Sequence, residues 1–301
     1  MTLFVVGNVT EDLIFSVPRL PGPGETLIAD ERHADLGGKG LNQALIAARA
    51  GCTVTLIAAV GEDAAGESAH RLAAEELPGT KLITVAGVPT DQSLITVAPD
   101  GENHIVSTAF AANALTPARI APLLAAIGAG DACLVQGNLS ADATQEALTA
   151  ARTSGALTVA NPSPIRWPWA PLWPLIDIAI LNRIELQELS GEADVPAGAR
   201  RLLSLGAASV LVTLGADGAC FFDATNTLVQ AAGQASVVDT AGAGDTFCAV
   251  FVAMTLDGAG AKDALRVAAE LSALTVSRRG TLSAFPSRAE IARCRGPVSA
   301  L

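Results

Sequence analysis

Val238-Asp239-Thr240-Ala241-Gly242-Ala243-Gly244-Asp245-Thr246-Phe247 is the stretch on which the reading of this chain turns. Two carboxylates bracket a run of small residues, and the apolar segment after it, Phe247 to Leu256, predicts a helix. Gly242, Ala243 and Gly244 then sit at that helix's N-terminus, where little side chain shields the backbone. The unpaired N–H groups of a first helical turn, aided by the helix dipole, attract an anion such as a phosphate. Asp245 adds a carboxylate, a group able to accept a proton at neutral pH. The competing reading is that Asp245 caps the helix and Asp239 ends a strand. Two other phosphate motifs fail: a dinucleotide fingerprint needs a third Gly where Phe247 stands, and a P-loop needs Gly-Lys-Ser/Thr.

Working outward, the 301 residues suffice for one large α/β domain or two small ones, and 50% of them are hydrophobic. A net charge of -11 argues against a nucleic-acid partner and against an anionic membrane surface. A polyanionic ligand would therefore need local helix N-termini, a divalent ion and a few cations. Apolar runs such as Thr53 to Val60 fall far short of the roughly 20 residues of a membrane span. Met1 to Val9 has no basic region and no cleavage-like site, so no signal peptide is expected. Five scattered cysteines without metal-ligand spacing fit a reducing cytoplasm.

Short apolar runs at Leu3 to Gly7, Thr53 to Val60, Cys133 to Gly137, Leu157 to Ala160, Asp177 to Leu181 and Ser209 to Leu214 predict buried parallel strands. Helical periodicity at Leu41, Ala44, Leu45 and Ala48, and again over Ala261 to Ser277, alternates with them. The alternation, without repeats or long linkers, predicts one doubly wound, mainly parallel sheet with helices on both faces. Two segments, near 13 to 36 and 91 to 108, are left over for a small β-sheet lid. The second carries Pro99-Asp100-Gly101-Glu102, a hairpin signal. Prolines from Pro162 to Pro174 exclude a regular helix around Trp167, Trp169 and Trp173, predicting a loop buried by its indoles. The ligand motifs fall at the carboxyl ends of strands, where open α/β sheets form a crevice.

Asp239 to Asp245 resembles the C-terminal signature of the ribokinase-like carbohydrate kinases, the family that includes the B-type phosphofructokinases. Gly37-Gly38-Lys39-Gly40-Leu41-Asn42-Gln43-Ala44 resembles its N-terminal signature. The pair, in this order, is far more specific than either alone, and the resemblance covers nearly the whole chain, 1 to 301, as a single kinase domain. It implies ATP-dependent phosphorylation of a primary alcohol on a sugar or sugar-like substrate, with ATP and Mg²⁺ as cofactors and a homodimer formed through the lid. By resemblance Asp245 is the general base, and Gly242, Ala243 and Gly244 stabilise the moving phosphoryl group. Asp12, Gly38, Lys39, Asn42 and Asn138 contact the sugar, although Lys39 alone would read as a solvated charge and Asp12 as a turn residue.

Asn182, Thr213, Gly215 and Gly218 would serve the nucleotide, with a tight strand-to-strand turn as the competing reading of Gly215 to Gly218. Glu185 would reach Mg²⁺ through water. The Asn182 to Glu185 spacing is equally that of a capping box. A monovalent cation, K⁺, would lie among Asp239, Ala241, Thr275, Arg278, Gly280 and Ala284, mostly on backbone carbonyls. Gly61 to Gly66 also resembles a family segment and is expected to be structural. Two positions depart from the ribokinase pattern: Thr10 stands for an Asn and Asn138 for a Glu. Asn138 followed by Ser140, with Asn182-Arg183-Ile184-Glu185, looks more like pseudouridine kinases, so a nucleoside or pseudouridine kinase is the alternative. A sugar- and nucleotide-binding regulator without turnover is a third reading.

Overall fold

A computed structural model of the chain describes residues 1–99 and 102–295, so the Asp100-Gly101 turn lies outside the described residues. Among the described residues thirteen strands form two sheets: β1 (Thr2–Val6), β2 (Thr10–Ser16), β3 (Glu31–Gly37), β4 (Thr53–Gly61), β5 (Lys81–Val85), β6 (Asp91–Val97), β7 (Asn103–Ser107), β8 (Ala132–Gln136), β9 (Leu157–Asn161), β10 (Ile178–Asn182), β11 (Ser209–Thr213), β12 (Ala219–Asp223) and β13 (Thr227–Gln230). The nine-stranded sheet runs β13-β12-β11-β10-β9-β8-β1-β4-β5, and β3-β2-β6-β7 form the second, four-stranded sheet. From β5 across to β11 every pairing in the large sheet is parallel, whereas β12 and β13 are antiparallel at one edge.

Parallel strands need crossovers, and the helices that supply them cover both faces. The pleat divides β1 between two cores. Leu3 and Val5 join the core beneath the helices Lys39–Arg49, Ala243–Leu256 and Ala261–Val276. Phe4 and Val6 join the core on the other face, with Leu148 of the Ala141–Thr153 helix and with Trp169 and Trp173. Those two indoles are buried, as their proline-rich surroundings predict, and the Trp167 and Trp169 rings stack at 4.2 Å.

The lid begins earlier than its sequence suggests. Thr10 to Asp12, expected in a turn, open β2, which pairs in parallel with β6 from Thr10↔Asp91 onward and antiparallel with β3 from Thr10↔Gly37. Asp12 is therefore a strand residue. Its carboxylate Oδ2 packs so close to Gly37 that a β-carbon at position 37 would meet it at 2.0 Å.

Two aspartates fasten the lid to the main sheet. Asp63 caps the Ala64–Glu76 helix through Gly66 N–H (2.8 Å) and accepts Thr90 N–H (2.7 Å), which gives the Gly61 to Gly66 segment the structural role expected of it. Asp91, fully buried at the start of β6, accepts the amides of Phe110, Ala111 and Ala112 and so satisfies the first turn of the Phe110–Ala114 helix.

Candidate active site

The Lys39–Arg49 and Ala243–Leu256 helices pack against each other inside one core, to which Ala44, Ala48, Ala249 and Phe251 belong. Gly242 caps the second helix in a left-handed conformation, φ 74°, and the first intrahelical bond returned to it comes from Thr246 N–H (2.9 Å). The helix thus begins at Ala243, earlier than its apolar run alone implies, and the amides of Gly244 and Asp245 belong to its unpaired first turn. A β-carbon on Gly244 would meet nothing within 4 Å, so that turn opens onto free space.

Asp245, 6% exposed, is where the two signatures meet. Its Oδ2 accepts from Asn42 Nδ2 (2.9 Å) and its Oδ1 from Gln43 Nε2 (2.9 Å), with Lys39 Nζ 3.5 Å from Oδ1. The Lys39 side chain keeps 30% of its surface exposed. Burial works against its charge, but Asp245 and then Glu185 attract it, and its pKa lies above the ordinary lysine value. Lys39 is therefore a fixed cation within the field of both carboxylates rather than a solvated one.

The Asn42 Oδ1 and Asn138 Oδ1 atoms are buried and accept no hydrogen bond among the described residues. Buried acceptors without partners are costly in a folded chain, and both belong to residues expected to meet hydroxyl groups. Asn138 follows β8, where Arg166 donates to its carbonyl oxygen and to Asn113 Oδ1 (3.2 Å). At Asp12, Thr10 Oγ1 donates to Oδ1 (2.7 Å), so the threonine that replaces an expected Asn supplies a hydroxyl donor to that carboxylate. Burial raises the Asp12 pKa, the hydroxyls of Thr10 and Ser93 pull it back, and the charges of Asp35 and Asp245 add to the rise. Gly38, at a positive φ of 95°, starts the Lys39–Arg49 helix against the main chain of Asn8 to Thr10.

Beside this cluster a cleft of about 330 Å³ is lined by Thr213, Gly215, Gly218, Ala243, Gly244 and Phe247 among others. Three nucleotide candidates thus share one cavity with the open helix start, a cradle whose glycine-rich walls fit a phosphate-bearing ligand. Gly215–Asp217 also forms the 3₁₀ turn between β11 and β12, so the reading of this segment as a tight strand-to-strand turn holds. Asn182 and Glu185 form a complete capping box: Glu185 N–H donates to Asn182 Oδ1 and Asn182 N–H to Glu185 Oε2, each 2.8 Å. No side chain among the described residues donates to the other Glu185 oxygen, which fits a water of a hydrated Mg²⁺.

Of the residues expected around a monovalent cation, Asp239, Ala241 and Gly280 are brought together. Asp239 accepts Ala241 N–H (2.9 Å) and Gly280 N–H (3.1 Å), joining the two loops. Arg278 N–H bonds Thr275 C=O (3.1 Å), the Arg278 guanidinium pairs with Glu290, and Ala284 is buried.

Sequence reasoning passed over Gln43, Gln136 and Asn161, which form a buried amide network behind Asp245. The available signal was polarity out of place: Gln136 stands near the end of an apolar strand and Gln43 on an apolar helix. All five cysteines are free, and burial pushes Cys52 up to about 11 and Cys133 up to about 12, so both are thiols at neutral pH. No helix among the described residues is long and apolar enough to cross a membrane.

The raised pKa of Asp12 gives a pH signature. A carboxyl whose pKa is raised in the folded protein takes up its proton at higher pH than a free aspartate does. If Asp12 accepts a substrate hydroxyl, the acceptor KM should rise as pH falls into and just above the carboxylate range. The KM of Asp12→Asn should already be high and change little over that range. Parallel KM profiles for the two proteins would remove the role.

Residues 2–288 match the family model described as pfkB family carbohydrate kinase. The chain is 32% identical over 295 residues to the ribokinase of Haemophilus influenzae, covering 96% of each chain. It is 30% identical to the ribokinase of Mus musculus, covering 95% of this chain and 92% of the relative. Among solved structures, the ribokinase of Arabidopsis thaliana complexed with ribose and ATP superposes with a TM-score of 0.86 at 27% identity over 98% of each chain. The ribokinase of Thermotoga maritima gives a TM-score of 0.87 at 26% identity, covering 97% of this chain and 98% of that one. With its two signatures joined at Asp245 beside a glycine-lined cleft, and with this likeness over nearly its full length, the chain belongs to the pfkB family and is an ATP-dependent carbohydrate kinase.

Proposed function

We propose that the protein phosphorylates the primary hydroxyl of a free sugar, ribose first among the candidates, with Asp245 as the proton acceptor. The observation that carries this reading is the meeting of Asp245 with Lys39 and Asn42 beside the cleft that holds Thr213, Gly215, Gly218 and Gly244. Asp245 takes the hydroxyl proton as the sugar oxygen bonds to the γ-phosphorus, and the bond to the leaving diphosphate oxygen breaks. The amide of Gly244 at the helix start faces the charge on the moving phosphoryl group, whereas Ala243 N–H donates to Thr240 C=O (3.4 Å). Asn182, Thr213, Gly215 and Gly218 hold the nucleotide, and Glu185 holds Mg²⁺ through water. When bound, ATP supplies the phosphoryl group and Mg²⁺ neutralises its oxygens. Asp12, Gly38, Asn42 and Asn138 orient the sugar, and the two unpaired amide oxygens of Asn42 and Asn138 support hydroxyl recognition.

Relatives named ribokinases support ribose, while Asn138 in place of a Glu supports keeping nucleosides in the comparison. The test is ADP release over ribose, other pentoses, hexoses, ketodeoxy sugars, uridine, adenosine and pseudouridine. Turnover on a nucleoside but on no free sugar would replace this reading with a nucleoside kinase, and binding without turnover would replace it with a regulator.

The loops around Asp239 support K⁺ activation, for which exchange of K⁺ for tetramethylammonium should lower kcat; equal rates in the two salts would remove it. Exposed Leu94, Ile105 and Val106 on β6 and β7 support a homodimer through the lid, and a monomer mass in sedimentation would remove that contact. Free cysteines support a cytoplasmic location, which a periplasmic or secreted fraction carrying the activity would overturn.

A further inference from the structure

Gln43 is fully buried on the Lys39–Arg49 helix, next in sequence to Asn42, and all its polar atoms are engaged within the protein. Its Nε2 donates to Asp245 Oδ1 (2.9 Å) and to Asn161 Oδ1 (3.1 Å), and its Oε1 accepts from Gln136 Nε2 (2.8 Å). Asn161 Nδ2 in turn donates to the main-chain carbonyl of Ile180 in β10 (2.9 Å). We propose that Gln43 is the positioning residue for the Asp245 carboxylate, holding it through a chain of hydrogen bonds whose direction is set by the backbone of β10. The assignment rests on Asp245 being the proton acceptor.

The direction follows from the chemistry of the ends. A main-chain carbonyl only accepts, so Asn161 must turn its NH₂ toward Ile180 and its oxygen toward Gln43. Gln43 must then present NH₂ to that oxygen, and the second proton of the same NH₂ reaches Asp245. Its carbonyl is left for Gln136. A flipped Gln43 would set an oxygen against both Asn161 Oδ1 and the Asp245 carboxylate, in a site too buried for water to relieve the repulsion. Gly7 belongs to the same arrangement, since a β-carbon there would lie 2.1 Å from Gln136 Oε1.

Asn42 holds the other Asp245 oxygen but also faces the substrate, whereas Gln43 has no substrate-facing atom left over. Proton transfer needs the base within about 2.6–3.2 Å of the hydroxyl oxygen, and a misplacement of about 1 Å costs about 10²-fold in rate. A carboxylate released on its Oδ1 side should therefore lose rate rather than substrate affinity.

The test is a double-mutant cycle on the full-length protein, using Gln43→Met, which keeps most of the side-chain volume. The kcat of Gln43→Met should fall about 10–10²-fold, with KM for sugar and for ATP within about 2-fold of the parent. In an Asp245→Asn background the same change should lower kcat by less than about 3-fold, because the chain then ends on a group that no longer accepts the proton. An undiminished kcat in Gln43→Met, or an equal loss in both backgrounds, overturns the positioning role; the second result marks a purely structural residue. If Gln43→Met does not fold, Gln136→Met decides, because it leaves both Asp245 oxygens with their partners and frees only the Gln43 carbonyl. A smaller fall in kcat at constant KM supports the proposal, and an unchanged kcat overturns it. Normal turnover by Asp245→Asn overturns this proposal together with the proton-acceptor reading. An inactive Asp245→Asn beside a fully active Gln43→Met overturns only the positioning.

Discussion

Asp245→Asn is expected to lower kcat by about 10²–10⁴-fold, the usual range for loss of a positioned general base, or about 3–5 kcal/mol in the barrier. The substitution is nearly isosteric. It keeps an oxygen that can accept from Asn42 or Gln43, now 2.9 Å away in each case, but it removes the charge that Lys39 faces at 3.5 Å. Lys39 keeps the through-space attraction of Glu185, and substrate affinity should change far less than rate. Calorimetry of sugar and nucleotide binding beside steady-state rates separates the two effects. Near-normal turnover in purified Asp245→Asn would remove the catalytic assignment.

Gly242→Ala is the second large effect, and it acts through the start of the same helix. At φ 74° a residue with a β-carbon pays about 1–2 kcal/mol in backbone strain. The new β-carbon would also lie 2.4 Å from Phe285 Cε1, a ring that is itself buried in the core. Neither strain is relieved without shifting the start of the Ala243–Leu256 helix, which carries the unpaired first-turn amide of Gly244 and Asp245 together. The melting temperature should fall and kcat should drop about 10–10²-fold, because both halves of the transfer geometry move at once. Adding Phe285→Leu should recover part of the stability by removing the collision, while the backbone strain persists. If Gly242→Ala keeps parental activity and stability, the left-handed cap is not what sets the helix start.

Gly242, Asp245 and Phe285 differ in how far the amino-acid sequence marks them. Gly242 and Asp245 stand out in the chain because a glycine-alanine run before an apolar segment has few other uses. Phe285 does not, since nothing in a one-dimensional reading places an aromatic ring from beyond the Ala261–Val276 helix against that cap. Thr10 looked like a weakened substrate contact and is the hydroxyl donor to Asp12. Asp12 looked like a turn residue and lies in β2, because pairing with both β3 and β6 extends the strand beyond what local propensity indicates.

By itself the sequence determined the parallel α/β class, since continuous apolar runs of strand length alternating with helical periodicity have no other economical packing. It also determined the two glycine signatures and the aspartate between them and the apolar helix, because small residues at a helix start are a local feature. Only the tertiary structure decided which groups share Asp245: Asn42 and Gln43 are 203 and 202 positions away, and Asn161 and Gln43 are 118 apart. The order β13 to β5 and the antiparallel edge of β12 and β13 were likewise settled by pairing rather than by pattern. The physical reason is the same throughout: a hydrogen bond between buried amides depends on how two helices seat on a sheet, and the contacts that seat them are non-directional and leave no spacing in the chain.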